Sequence, residues 1–202
     1  MTAINYKTYR IKFEKAGPAK YISHLDLNRL FARSLARADI KVAHSEGFNP
    51  RPKIVFASTL SLGIESFCEF ADIKTAENLT AAQIKNFFPR GINILEVYEP
   101  ETGFKTIDRT RFHIFVTPAP AGLDGLFAGD AFAEKKPGVN INLKDYICCI
   151  KTDKFIDAVL KTNQEMFLNP ENIVKAIAAK YEIDGYYIQK IGMYDKNGAL
   201  FR

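Results

Sequence analysis

Two short stretches of this chain hold the residue types that do chemistry. Ser23-His24-Leu25-Asp26 sets a hydroxyl, an imidazole and a carboxylate within four positions. HSEGFNPRPK, His44 to Lys53, adds a second histidine, an amide at Asn49 and the cations Arg51 and Lys53. Between them Arg29, Arg33 and Arg37 recur every fourth residue. Three chemistries answer to such a set: nucleophilic catalysis, metal ligation and anion binding. Catalysis by Ser23, His24 and Asp26 fails on geometry, because neighbours in one helical turn cannot set a base against a nucleophile while a third group orients the base. A metal held by His24, His44 and His113 needs three distant segments to converge, and neither HxH nor HExxH spacing is present. The reading therefore expects no catalytic residue, no metal and no cofactor.

Anion binding fits better. On a helix, residues at i, i+4 and i+8 share a face, so the three guanidiniums span about 12 Å at ~1.5 Å rise per residue. That matches a row of phosphates. Like charges at this spacing slightly destabilise a helix, and only Asp26 lies near enough to offset them. Charge distribution agrees: residues 1–60 hold eleven Lys and Arg against four Asp and Glu, and residues 61–202 hold seventeen against nineteen. The positive excess sits in the first third, which favours a polyanionic partner there. The expected nucleic-acid-binding set is Arg29, Arg33, Arg37, His24, His44, Asn49, Arg51 and Lys53. A ribonuclease using His24 or His44 as acid and base is the weakest alternative, because no second group is set to work with either.

The elements that must position these residues are legible in the hydrophobic pattern. INYKTYRIKFEKAG alternates, with Tyr9, Ile11 and Phe13 on one face, and reads as a half-buried strand ended by Gly17-Pro18. Ser23 with Asp26 three residues on forms a capping box opening a helix from His24 to about Ala38. Its inner stripe is Leu27, Leu30, Phe31, Ser34, Leu35 and Ala38, and His24 at the edge of that stripe is expected half-buried and hydrogen-bonded to a loop. Asn49 and Arg51 each precede a proline, which drives both toward extended backbone and stiffens the loop. SFCEFADIKTA and INILEVYEP read as strands around a short helix in LTAAQIKNFFPRG, capped by Thr80. The order β-α-β-β-α-β over residues 4–99 is ferredoxin-like. SFCEFADIK lacks the glycine-aromatic pattern with which a sheet reads single-stranded RNA, so helix and loop are expected to do any RNA binding.

The second half repeats that order loosely, with its junction near Glu99–Thr110. TRFHIFVTPA is a strand, a Gly-rich segment holds one helical turn, and VNINLKDYICCIKT and FIDAVLKTN are extended. NPENIVKAIAAKY is a helix capped by Asn169 with Pro170 in its first turn, and YYIQKIGMY is the last strand. The expectation is α+β throughout, residues 1–99 ferredoxin-like and 110–202 a degenerate second ferredoxin-like half. Hydrophobic residues at 47% and charged residues at 25% are those of a globular protein. Cys68, Cys148 and Cys149 are odd in number and lack CxxC spacing. With no apolar run of membrane length, the chain is expected in the cytoplasm and off the membrane.

SHLD at 23–26, Arg33, Ser45, GFNP at 47–50, Pro52, Gly63 and Ser66 together resemble a family of uncharacterised bacterial domains fused to, or encoded beside, B12-binding-type radical SAM proteins. The match is specific over residues 20–73. The resemblance implies association with a radical SAM protein and names no activity. A start close to the first strand implies a free-standing copy. Two partner readings result: a non-catalytic module presenting tRNA or rRNA to a radical SAM modification enzyme, or a subunit that docks on that enzyme without touching nucleic acid.

Overall fold

The computed structural model describes residues 5–202, and its architecture is α+β, with sheet predominating over short helices. Ile4, where the expected first strand opens, lies outside the described residues. The chain divides into two compact units, the first reaching Gly103 and taking in Arg202, the second Phe104–Phe201.

In the first unit, β1 (Lys7–Lys15) leads through a 3-10 turn to α1 (His24–Arg37), followed by β2 (Ile54–Phe56), β3 (Glu65–Thr75), α2 (Ala81–Ile84) and β4 (Ile92–Tyr98). Ile73 pairs with Tyr9 of β1 along one edge of β3 and with Ile54 of β2 along the other, while Ile11 pairs with Val97 of β4. All pairings are antiparallel, and the order is β4-β1-β3-β2. Tyr9, Ile11, Phe13 and Ile73 turn toward α1, whose Leu27, Leu30, Phe31, Ser34 and Leu35 are buried. Phe31 is the hub: its ring lies 4.8 Å from Phe13, 5.1 Å from Phe56 and 4.8 Å from Phe88.

Three local devices fix α1 at its two ends. Lys15 is buried, and its ammonium donates to the Ile22 carbonyl at 2.8 Å. Burial pushes its pKa below the ordinary lysine value, with Glu69 opposing. Gly91 has φ +94, and a Cβ there would stand 2.5 Å from the Ala16 carbonyl oxygen, so the chain closes on itself only with glycine. Asp39, at φ +58, ends α1 in the left-handed region.

The second unit runs β5 (Ile107–Thr117), α3 (Leu123–Ala128), β6 (Phe132–Lys136), β7 (Val139–Asn142), β8 (Ile147–Thr152), β9 (Ile156–Lys161), α4 (Glu171–Ala178) and β10 (Gly185–Asp195). Its sheet is antiparallel in the order β10-β5-β9-β8, and β6 and β7 form a separate hairpin. Phe112, Ile114, Ala158, Leu160 and Ile188 are buried, as are Ile173 and Ile177 of α4. Three expectations need correction. The hairpin β6–β7 was not foreseen, and VNINLKDYICCIKT is not one extended run. Asn142 Oδ1 accepts from Lys144 N–H at 3.1 Å and folds residues 143–145 into a 3-10 turn, because a short amide offers the backbone a partner closer than a neighbouring strand. Pro170, where Asn169 was expected, is the cap position of α4, and Asn169 Oδ1 accepts from Glu171 N–H at 3.1 Å from one residue further back.

Candidate nucleic-acid interface

The arginine row stands on α1. Ser23 Oγ accepts from Asp26 N–H at 3.1 Å and donates to the Asp26 carboxylate at 2.7 Å. The Ser23 hydroxyl, and after it Arg29, hold the Asp26 pKa below the usual carboxylate value. Arg29, Arg33 and Arg37 are all exposed, but they differ in employment. Arg29 pairs with Asp26 at 3.1 Å across open surface, a contact of little net strength that a phosphate can replace. Arg37 donates to the Phe87 carbonyl at 2.6 Å and to Ser34 Oγ at 3.3 Å, tying α1 to the turn after α2. It is a fastening as well as a charge.

His24 lies on the other flank of the helix. Its ring meets Phe56 edge-on at 5.3 Å, and the residue is exposed where half-burial was expected. Phe56, at the end of a three-residue strand, leaves the imidazole covered on one side only.

The loop is built as an arch. Ala43 N–H donates to the Lys74 carbonyl at 2.7 Å, laying one end of the arch on β3, and Lys53 N–H donates to the Ala43 carbonyl at 2.8 Å, tying the other end to the first. Above them Ser45 closes the ring twice: its N–H donates to the Arg51 carbonyl at 2.8 Å, and its Oγ accepts from Arg51 N–H at 3.0 Å. Gly47 at φ +120 makes the turn at the tip, a conformation closed to side chains. His44 Nδ1 is 2.9 Å from the Val42 carbonyl. His44, Asn49, Arg51 and Lys53 are exposed together on this arch, whereas His24 and the arginine row stay on α1.

Beside the arch runs a groove of about 680 Å³. Pro52 and Val55 give its apolar part, Ile54 and Ile73 having their side chains buried on the helix side, and Arg51, Lys53 and Lys74 supply cations. Asp72, the one acid in the lining, is taken by Arg10, which forks onto it with two contacts of 2.8 Å. The groove thus presents positive charge over a small apolar floor of Pro52 and Val55. Sequence reasoning missed Lys74, Val55 and Phe48, the last fully exposed at the tip. The signal for Lys74 was present, since strand alternation in FADIK sets Lys74 on the face opposite the buried Ile73. Among the described residues, no three His, Cys, Asp or Glu side chains are grouped to hold a metal ion, and no helix is long and apolar enough to cross a membrane.

A family model described as an uncharacterized protein conserved in bacteria (DUF2344) matches residues 8–170. No curated protein matches the chain.

Proposed function

The chain belongs to the DUF2344 family of proteins conserved in bacteria, and we propose that it is a non-catalytic RNA-binding accessory module acting with a radical SAM RNA-modification enzyme. The observation that carries the RNA reading is the groove at the arch, where Arg51, Lys53 and Lys74 surround an apolar floor. Cations answer to phosphates, and the floor answers to an unstacked base. Asp72 does not cancel them, because Arg10 already satisfies it. The radical SAM partner rests on the motif resemblance at residues 20–73. The proposed setting is the cytoplasm, in keeping with three free cysteines.

The finer fold reading belongs to the same proposal. Strand orders β4-β1-β3-β2 and β10-β5-β9-β8, each antiparallel, support two ferredoxin-like units, the second carrying β6–β7 as an insertion.

The test is a binding titration of a labelled single-stranded RNA across several salt concentrations, wild type against Arg51→Ala/Lys53→Ala/Lys74→Ala. With a slope of about −0.7 in log affinity against log salt per neutralised phosphate, three lost contacts shift it by about 2. Unchanged affinity and slope discard the groove. One observation favours a second reading, docking on the enzyme without nucleic acid: Phe48, fully exposed on a stiff tip, is the kind of apolar anchor that fills a pocket on a protein partner. Loss of enzyme capture in Phe48→Ala, with no RNA bound by the wild type, would put docking first.

A further inference from the structure

A sheet that packs helices on one face ordinarily turns polar residues outward on the other. The second unit departs from that rule. Phe112, Ile114, Ala158, Leu160 and Ile188 face the helices and are buried. Register then sets Phe115 beside Tyr187 and His113 beside Asp157 on the opposite face. There the aromatic rings run in a line: His113 to Phe155 at 4.4 Å, Phe155 to Phe115 at 5.2 Å, Phe115 to Tyr187 at 5.9 Å. Each of these residues keeps part of its surface in solvent.

Polar groups border the line. Arg111 forks onto Asp157, with Nε at 2.7 Å from the carboxylate. His113 Nε2 is buried with no hydrogen-bond partner and stands 3.8 Å from Asp157 Oδ1. Gln189 spends one amide N–H on the Tyr187 hydroxyl at 3.1 Å. The same register assigns Arg109, Arg111, Lys151 and Lys161 to this face; Arg111 is paired with Asp157 and Arg109 with Asp108 at 3.1 Å. Two cations, Lys151 and Lys161, are left over on the strands that carry the rings.

We infer that this face is a second RNA-binding site, a platform on which unpaired bases stack over Phe115, Phe155 and Tyr187. Lys151 and Lys161 attract the connecting phosphates. Two features select the ligand class. Aromatic rings stack on any base, which suits unpaired nucleotides and excludes the interior of a duplex. The charge excess suits a polyanion, where an apolar protein partner would leave those cations desolvated without counter-charge. The inference borrows from the reading above only its ligand class; the residues are separate.

The probe is a fluorescently labelled octamer of uridines, titrated against the whole chain. Phe115→Ala/Tyr187→Ala lowers affinity by roughly tenfold or more for each stacking ring lost, with the salt slope unchanged because no cation is removed. Phe115→Tyr/Tyr187→Phe keeps both rings and restores wild-type affinity. A second measurement needs no variant: an octamer carrying 4-thiouridine, irradiated with the wild-type chain, crosslinks to Phe115, Phe155 or Tyr187. Crosslinks confined to residues 44–56, or undiminished binding by the Ala pair, overturn the platform and leave the groove standing. An octamer that binds nowhere on the wild type overturns both.

Discussion

The two units share a strand order and use it differently. On the first sheet, the face away from the helices neutralises itself: Arg10 is forked onto Asp72 and Lys12 meets Glu96 at 2.8 Å. Its spare cations sit on the arch, on α1 and, at Lys74, on β3 beside the groove. The second sheet carries its cations on the strands, pairs Arg109 with Asp108 and Arg111 with Asp157, leaves Lys151 and Lys161 over, and carries a line of aromatic rings on the same face. The sequence tally points the other way, since residues 1–60 hold the positive excess and residues 61–202 are net acidic. Segment charge alone does not locate the unpaired cations. What matters is which cations already have partners, and pairing is a property of register.

The strongest way to break the comparison is to remove the core that holds the arch in place. Phe31 is fully buried among Phe13, Phe56 and Phe88, so Phe31→Ala costs about 3–5 kcal/mol, read by denaturant unfolding. RNA binding through the groove is lost with it. Persistence of groove binding in this variant would mean that the arch does not depend on the first core.

The cap comes next. Ser23→Ala removes the acceptor for Asp26 N–H and lowers stability by about 1 kcal/mol. An unchanged unfolding midpoint would assign the cap elsewhere.

Within the arginine row, stability and binding separate. Arg37→Ala loses the contact to the Phe87 carbonyl and costs about 1 kcal/mol. Arg33→Ala stays within about 0.5 kcal/mol of wild type, and so reports on RNA alone. Equal stability losses in the two variants would contradict the fastening role of Arg37.

The smallest effect sharpens the second unit. Burial holds the His113 pKa below its ordinary 6.5, against Asp157, which raises it, and with Arg111 lowering it further. The unfolded chain thus binds the proton more readily, and stability falls as pH drops from 6.5 toward the folded value. Asp157 and Asp108, both held below the usual carboxylate value, lose their contribution only at more acid pH. His113→Gln therefore flattens the upper part of the acid limb and leaves the lower part in place, as measured by chemical denaturation across pH. An unflattened upper limb would remove His113 as its source.

Much of the first unit was legible because its signals are local. The alternation of Tyr9, Ile11 and Phe13, the Ser23 cap and the proline-stiffened loop each lie within a dozen residues of their effect. The arch itself was half legible: its stiffness follows from Pro50 and Pro52, but the double closure by Ser45 does not show in the sequence. What escaped depends on pairing at long range. The second sheet face draws Phe115, Phe155 and Tyr187 from three segments, and no spacing announces it. The hairpin β6–β7 was hidden by its own composition, since FAEKK alternates too weakly to stand out beside the Gly-rich segment before it.

The account turns on unpaired RNA as the ligand. The direct measurement is equilibrium binding of the wild-type chain to one labelled RNA octamer, single-stranded and then annealed to its complement, at about physiological salt. The account predicts that the single strand binds and the duplex binds markedly less, because stacking needs open base faces. Equal affinity for the two forms, or none for either, would contradict it.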